Sequence, residues 1–261
     1  MIGFIVCAQI NPKNIDIVRD NYGVPHIFSK TDAELAYGLA WAHAEDDFKT
    51  IQQGYLAGNS LLSDVEGKKA LGIDFISQFI GSDRLYEEKY LSDVSDEYKA
   101  IIEAYCEGIN RFAELHPEQV LSKKLFPINT KSLYLYCQLQ LFISSKGDYW
   151  VKKILKNKLN YQPAVDEVKG SNTFAFNSSK TKDGNIYLAI NTHQPLDGPT
   201  SWYEVHLSSE EGTDIIGALF AGSPNVLIGA NKNVAWAHTV NIPVSYTHLR
   251  AHETRGNLVC R

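Results

Sequence analysis

A chain of 261 residues with 44% hydrophobic and 21% charged residues has the composition of a globular protein with one or two domains. Its 30 acidic residues outnumber its 25 basic residues, and no basic run stands out. This balance argues against nucleic acid or an anionic membrane surface as the main partner. No apolar run reaches the roughly 18 residues that a membrane span needs.

The first nine residues have the features of a secretory signal. An apolar core at 2–6 is followed by the short exit Cys7-Ala8-Gln9. We therefore predict that residues 1–9 are the remnant of a signal peptide, which places the protein in the periplasm or outside the cell. A short buried strand is the alternative for this segment. A lipid anchor at Cys7 is disfavoured because Val6 is large where a small residue is usual.

The segment that follows is mainly helical in pattern. Thr31 and Glu34 have the spacing of a capping box, in which each side chain bonds the other's backbone N–H at the start of a helix. Apolar residues then recur at helical spacing in three places. The patterns predict two short strands and three long helices, at 15–19, 24–28, 32–58, 96–116 and 132–143.

From Ser171 onward the hydrophobic period changes to two, which is typical of strands. Turn sequences such as Lys182-Asp183-Gly184-Asn185 separate the apolar stretches. The predicted strands lie at 174–176, 187–189, 203–207, 215–219, 226–228 and 234–236. Helices that precede strands indicate an α+β fold, and the change falls between Gly170 and Ser171.

Two cysteines lie within the predicted helices. Cys106 and Cys137 both fall on apolar helical faces, where a small buried hydrophobic residue is expected. Their spacing does not by itself indicate a disulfide, although export would allow one.

The last nineteen residues have no hydrophobic period. The stretches "VSYTHLRAHET" and "NLVCR" resemble the translation of a sequencing-library adaptor. We therefore expect residues 243–261 to be a cloning or sequencing artefact and the genuine protein to be longer. His248, His252 and Cys260 are then not a metal cluster.

Three stretches within residues 15–242 together resemble one family. The stretch at 17–47, "IVRDNYGVPHIFSKTDAELAYGLAWAHAEDD", is similar to the opening of the small chain in the penicillin acylase family. Two later stretches, "GSNTFAF" to "WYEVHL" and "GALFAGSPNVLIGANKNVAWAHTV", are similar to the start of that family's large chain. The three occur in the family's order and at its spacing.

The resemblance implies an N-terminal nucleophile hydrolase, made as one precursor that cuts itself in front of a serine. It implies an αββα sandwich, of which this chain holds the first part. Residues 10–170 are then the helical small-chain region with any spacer, and 171–242 begin the large chain. The two chains remain associated after cleavage. The family includes penicillin, cephalosporin and acyl-homoserine-lactone acylases, which act on small N-acyl amides.

Cleavage between Gly170 and Ser171 would give Ser171 a free α-amine beside its own hydroxyl. An α-amine has an ordinary pKa of about 7.7–8.0, so near neutral pH it can take the hydroxyl proton. By resemblance His193 orients the nucleophile and its amine, and the backbone N–H of Val240 is one donor to the oxyanion. Taken alone, Ser171 would be an ordinary loop residue and His193 a surface or packing residue.

Other family features lie beyond this sequence. The second oxyanion donor is an asparagine much further along, and the acidic calcium ligands follow the last predicted strand. We therefore expect no cofactor and no metal site in this fragment, with a structural calcium only in the full-length protein. The fragment itself is expected to be inactive.

By resemblance, Gln194, Leu227 and Ile228 contribute to the acyl pocket. The helix that carries Phe142, together with Tyr134, Gln138 and Leu141, is its predicted outer wall. Ordinary core packing is the alternative for each of these residues.

The sequence leaves two alternative functions to consider. One is a Ser-His-Asp hydrolase that uses His193 or His206, but no G-x-S-x-G stretch surrounds Ser171. The other is a non-catalytic β-rich binding module built on Trp202, Tyr203 and Trp236. Such a module would not need the helical half of the chain, and strand spacing makes these aromatic residues core residues.

Overall fold

The computed structural model describes residues 10–156 and 171–239, and these fall into two units. The first unit contains 10–156 and 194–236, and the second contains 171–193 and 237–239. The predicted signal remnant, Gly170, Val240 and the predicted adaptor segment lie outside the described residues.

The first unit begins with a hairpin of two strands and continues with a series of helices. The strands are β1 (Asp16–Arg19) and β2 (Pro25–Ser29). The helices are α1 (Asp32–Gly58), α2 (Leu62–Glu66), α3 (Leu71–Phe79), α4 (Ser82–Asp93), α5 (Asp96–Leu115), α6 (Thr130–Ser144) and α7 (Gly147–Leu155). The predictions for β1, β2, α1, α5 and α6 are confirmed to within two residues, whereas α2, α3, α4 and α7 were not predicted.

The strands that follow the helices build most of one sheet. They are β5 (Trp202–Ser209), β6 (Asp214–Phe220), β7 (Ile228–Ala230) and β8 (Ala235–Trp236). The sheet has the order β1-β2-β5-β6-β7-β8, in which only β2 and β5 are parallel. The predicted strand at 226–228 begins two residues later than expected, although the Leu227 N–H already donates to the carbonyl of Ala218 at 2.9 Å.

One face of this sheet packs on the helices. Along β5, Val205 and Leu207 are buried while Glu204 is exposed, which is the alternation expected of a sheet covered on one side. The buried strand residues share a core with α1, α5 and α6. The α+β prediction is therefore confirmed, and the complete αββα sandwich stays a prediction.

Helix α1 lies at the centre of this core, and it is buried along most of its length. Two of its glycines allow α6 to approach closely. A Cβ atom at Gly54 would lie 2.3 Å from Cζ of Tyr136, and one at Gly58 would lie 2.5 Å from the Tyr136 Cα. Any larger side chain at either position would overlap α6.

The start of α1 differs from the predicted capping box. Thr31 Oγ1 accepts from the backbone N–H of Glu34 at 3.1 Å, as expected of an N-cap residue. The Glu34 carboxylate, however, accepts from Asn14 Nδ2 at 2.7 Å and from the Asn11 N–H at 3.4 Å. Glu34 thus anchors the segment before β1, and only half of the capping box forms.

Halfway along, α1 is interrupted at Asp47, whose φ of −152° and ψ of 59° are not helical. The Asp47 carboxylate accepts from the backbone N–H of Thr50 at 3.1 Å. This is the bond that an N-cap residue makes to the third residue of a helix, so Asp47 caps the second half of α1.

Both described cysteines are free thiols, so the disulfide that export would allow is not formed. Burial raises the pKa of Cys106, and it raises that of Cys137 to about 12. Among the helices of the described ranges, none is long and apolar enough to cross a membrane.

The second unit contains an antiparallel hairpin of β3 (Asn172–Phe176) and β4 (Tyr187–Asn191). Its connection turns at Gly184, which has a φ of +72°. Asp183 accepts from the Tyr187 hydroxyl and from the Asn185 N–H at 3.2 Å. These bonds, that of Tyr187 first, lower the pKa of Asp183 to about 2.

Candidate active site

The predicted nucleophile lies at the open end of the second unit's hairpin. Ser171 directly precedes β3, and the ladder ends where Asn172 pairs with Asn191. Because the strands are antiparallel, Ser171 and His193 leave the hairpin at the same end. Ser171 is partly buried and His193 is exposed. The hairpin therefore places at one end the two residues that the sequence separates by 22 positions.

Two further members of the predicted site are not described. Gly170 precedes the first residue of the second described range, and Val240 follows its last residue, Thr239. Their assignments stay predictions.

The loop after His193 belongs to the first unit and is held by α6. Gln140 Nε2 donates to the carbonyl of Pro199 at 2.8 Å and to that of Ala221 at 3.0 Å. The Tyr136 hydroxyl donates to the same Ala221 carbonyl at 2.7 Å. Gln194, which begins this loop, is partly buried.

Gln140 was not among the predicted site residues, which included Gln138 of the same helix. The buried residues of α6 are Leu133, Tyr136, Leu139 and Gln140, and they define its inner face. The sequence did not reveal which side of α6 is buried, because apolar residues occur on several sides of the helix. The spacing of Leu133, Tyr136 and Gln140 by three and four residues could have indicated the buried side.

The other predicted pocket residues lie in two places. Leu227 and Ile228 are partly buried at the start of β7, where the Leu227 carbonyl accepts from Trp236 Nε1 at 3.0 Å. Phe142 is partly buried in a different apolar cluster, with Ile76 and Leu139. The apolar character of these positions agrees with a pocket for an acyl group, and their role in binding stays a prediction.

A small cavity lies beside this part of α6. It has a volume of about 220 Å³ and is mostly apolar. Its walls come from α1, α2, α3, α6 and the Pro199–Thr200 segment, and Gln140 is one of its polar residues.

The geometry around His206 does not form a catalytic triad. His206 Nε2 lies 3.1 Å from Asp214 Oδ1, but the other ring nitrogen, Nδ1, lies 3.0 Å from His26 Nδ1. A triad would place a serine hydroxyl there. The described contacts of His206 therefore do not support a Ser-His-Asp hydrolase centred on this residue.

The aromatic residues of the alternative binding module are part of the packing. Trp202 stacks on Phe220 with ring centres 4.6 Å apart, and Tyr203 stacks on His43 at 3.9 Å. The Trp236 indole is hydrogen-bonded within the sheet. These contacts favour core roles for all three aromatic residues.

One histidine with a strongly lowered pKa is buried beneath β5. His43 is only 2% exposed, and its Nδ1 has no hydrogen-bond partner. Burial lowers its pKa to about 4, against the opposing effect of Asp47 and Asp46. His43 is therefore neutral at physiological pH. In the parts of the chain that the structure describes, no three His, Cys, Asp or Glu side chains are placed to hold a metal ion.

Known acylases are similar to this chain along most of its length. An acyl-homoserine lactone acylase PvdQ from Pseudomonas fluorescens is 25% identical over 265 residues, which cover 90% of this chain and 34% of the relative. The aculeacin-A acylase of Actinoplanes utahensis is 23% identical over 267 residues, which cover 86% of this chain and 33% of the relative. The chain thus spans about a third of the length of these relatives.

A solved structure is also similar, the thermostable penicillin G acylase from Alcaligenes faecalis. The TM-score is 0.42 and the identity 16%, over 59% of this chain and 96% of that chain.

The family model for penicillin amidase matches residues 14–250. The matched range includes the start of the segment that we attribute to an adaptor, and it covers most of both described ranges. On this match, the chain belongs to the penicillin amidase family.

Proposed function

We propose that the full-length gene product is an amidohydrolase that cleaves the amide bond of small N-acyl compounds. Ser171, exposed by self-cleavage after Gly170, is the nucleophile. Membership of the penicillin amidase family supports this proposal, as do relatives that are named acyl-homoserine lactone acylase and aculeacin-A acylase.

The proposal rests mainly on one observation, that Ser171 immediately precedes β3. A cut in front of it would leave a new N-terminus at the open end of a hairpin. The α-amine and the hydroxyl of one residue would then lie side by side, as this type of catalysis requires. His193 leaves the hairpin at the same end and is the proposed positioning group.

In the proposed reaction, the Ser171 hydroxyl oxygen attacks the substrate carbonyl carbon while the α-amine takes the hydroxyl proton. The backbone N–H of Val240 donates to the resulting oxyanion. When the intermediate collapses, the C–N bond breaks and the α-ammonium returns the proton to the leaving amine. Water then hydrolyses the acyl-serine ester by the same route, which releases the acid and restores Ser171.

The two chains are proposed to stay together after cleavage. Within the first unit, residues before the cleavage site already bond residues after it. The Tyr55 hydroxyl donates to the Gly222 carbonyl at 3.0 Å, and β2 pairs with β5. Ser209 Oγ donates to Asp32 Oδ1 at 2.6 Å. These contacts need no intact peptide bond between Gly170 and Ser171.

We propose that the protein acts in the periplasm or outside the cell, because residues 1–9 resemble the end of a signal peptide. The precursor would then be an inactive zymogen that matures by its own cleavage. The present 261 residues are expected to be inactive, since they span about a third of the relatives' length.

The test uses the full-length product, with the gene read past Ile242. The wild-type protein should separate into two chains, and the larger should begin Ser-Asn-Thr-Phe on N-terminal sequencing. Ser171→Ala should remain uncut and inactive, because one hydroxyl serves both reactions. Ser171→Cys should still be cleaved, because a thiol is a stronger nucleophile.

Ser178→Ala is the matched control, since Ser178 lies in the connection of the same hairpin and is exposed. It should be cleaved and active like the wild type. An active wild-type protein that remains one uncut chain, or a fully active Ser171→Ala variant, would contradict the proposal.

A further inference from the structure

Gln140 is a buried amide that joins two separate segments. Its side chain is on α6, and only 4% of the residue is exposed. The Nε2 group donates to Pro199 and to Ala221, at 2.8 and 3.0 Å. Both acceptors are backbone carbonyls, so the bonds fix the course of the main chain in both segments.

The two segments lead to the predicted substrate-binding residues. Pro199 lies in the 194–201 loop, which begins at Gln194. Ala221 lies in the turn after β6, a few residues before Leu227 and Ile228. Gln140 therefore lies where the two parts of the predicted pocket are tied to α6.

A primary amide suits the two carbonyl acceptors at this position. An NH₂ group supplies two N–H donors, whereas a carboxylate supplies none at neutral pH and an apolar side chain supplies none at any pH. The Ala221 carbonyl also accepts from Tyr136, so it would keep one partner without Gln140. The Tyr136 hydroxyl lies 3.5 Å from the Pro199 carbonyl oxygen, a distance that is too long for a strong hydrogen bond. Loss of Gln140 would therefore affect the 194–201 loop most.

The loop has internal bonds of its own. Ser201 Oγ donates to the Gly198 carbonyl at 2.7 Å, and Gly198 has a φ of +90° that favours glycine. These contacts hold the tight turn together but do not attach it to α6. Gln140 makes the short hydrogen bond between the loop and α6, since the Tyr136 hydroxyl lies 3.5 Å from the same Pro199 carbonyl.

We propose that Gln140 is a positioning residue that fixes the 194–201 loop and the turn after β6 against α6, and so sets the acyl-chain specificity of the enzyme. This inference rests on the proposed function. It assigns to Gln140 no contact with the reacting atoms.

The test measures kcat and KM of the full-length enzyme on a series of N-acyl homoserine lactones with increasing acyl length. Gln140→Glu and Gln140→Met both keep the length of the side chain and remove its donors. KM for the best substrate should rise about fivefold, the factor that corresponds to the loss of one hydrogen bond. The preference among acyl lengths should change, while kcat stays close to the wild-type value because the Ser171 chemistry is untouched.

Gln78→Glu and Gln78→Met are the matched controls, because Gln78 is an exposed glutamine on α3. Both should keep the wild-type acyl-length profile. Chain separation and thermal unfolding are followed in every variant, and Gln140→Met keeps the test open if Gln140→Glu does not fold.

The outcomes separate the two proposals. A wild-type protein that neither cleaves itself nor hydrolyses any N-acyl lactone would contradict the proposed function. An active wild type whose acyl-length profile is unchanged in the Gln140 variants would overturn only the role of Gln140. A uniform loss of kcat on all substrates, with the profile retained, would overturn it as well.

Discussion

The Tyr203 hydroxyl donates to Asp46 Oδ2 at 2.6 Å, and the same oxygen receives Arg19 Nη1 at 2.8 Å. One carboxylate thus joins β1, α1 and β5. Burial raises the pKa of Tyr203, and its hydrogen bond to Asp46 raises it further, so the hydroxyl remains a neutral donor at neutral pH. If the chain is cut after Gly170, this bond links the two mature chains.

We therefore predict that Tyr203→Phe weakens the folded assembly while leaving its packing in place. A hydrogen bond to a charged group contributes about 1.5–3 kcal/mol when buried. Asp46 is partly exposed, so solvent screening reduces the expected loss to about 1 kcal/mol. Urea unfolding of the full-length protein measures this change.

Tyr22→Phe is the control, because Tyr22 is 92% exposed and loses the same hydroxyl without losing a buried contact. Its unfolding midpoint should match the wild type. Equal midpoints for Tyr203→Phe and Tyr22→Phe would show that the bond to Asp46 contributes nothing to stability.

The elements that the sequence predicted correctly have strong local signals. Helix α1 begins at Asp32 because Thr31 caps it, and a capping residue acts within one turn of its own position. The change to period two at Ser171 marked β3 in the same way. Such signals can be recognised in a single sequence, because they do not depend on distant residues.

The features that were missed depend on contacts between distant residues. Glu34 bonds Asn14 instead of completing the capping box, and no local rule distinguishes the two partners. Gln140 and Gln138 differ only in which side of α6 meets the Pro199 segment. The pairing of His26 with His206 requires β2 to lie beside β5, 180 residues apart in sequence, in a parallel arrangement.

The second prediction concerns pH. The pKa of His43 falls from 6.5 to about 4 because the residue is buried. Between these values the unfolded chain binds more protons at this position than the folded protein does. The contribution of neutral His43 to the free energy of unfolding is therefore complete above pH 6.5. It decreases as the pH falls towards 4, by about 3 kcal/mol in total.

His43→Phe should make stability less sensitive to acid over this range. The phenyl ring can keep the stacking on Tyr203, and it removes the buried Nδ1 that has no partner. Unfolding midpoints measured from pH 7 to pH 4 give the slope. His116→Phe is the control, because His116 is partly exposed at the end of α5. The same acid-induced loss in wild type and His43→Phe would contradict this account of His43.

The last prediction concerns the acyl group. Leu227 and Ile228 are apolar and partly buried at the start of β7, so we expect the full-length enzyme to prefer a neutral, hydrophobic acyl chain. Each buried methylene contributes about 0.8 kcal/mol, which corresponds to a severalfold rise in kcat/KM for each added carbon until the pocket is full. The measurement is kcat/KM on N-acyl homoserine lactones of increasing length, with benzylpenicillin for comparison.

Ile228→Ala should enlarge the pocket and move the preferred acyl length towards longer chains. Val18→Ala, at an exposed strand position, should leave the preferred length unchanged. A flat response to length, or a preference for charged acyl groups, would refute the apolar pocket but leave the Ser171 chemistry intact.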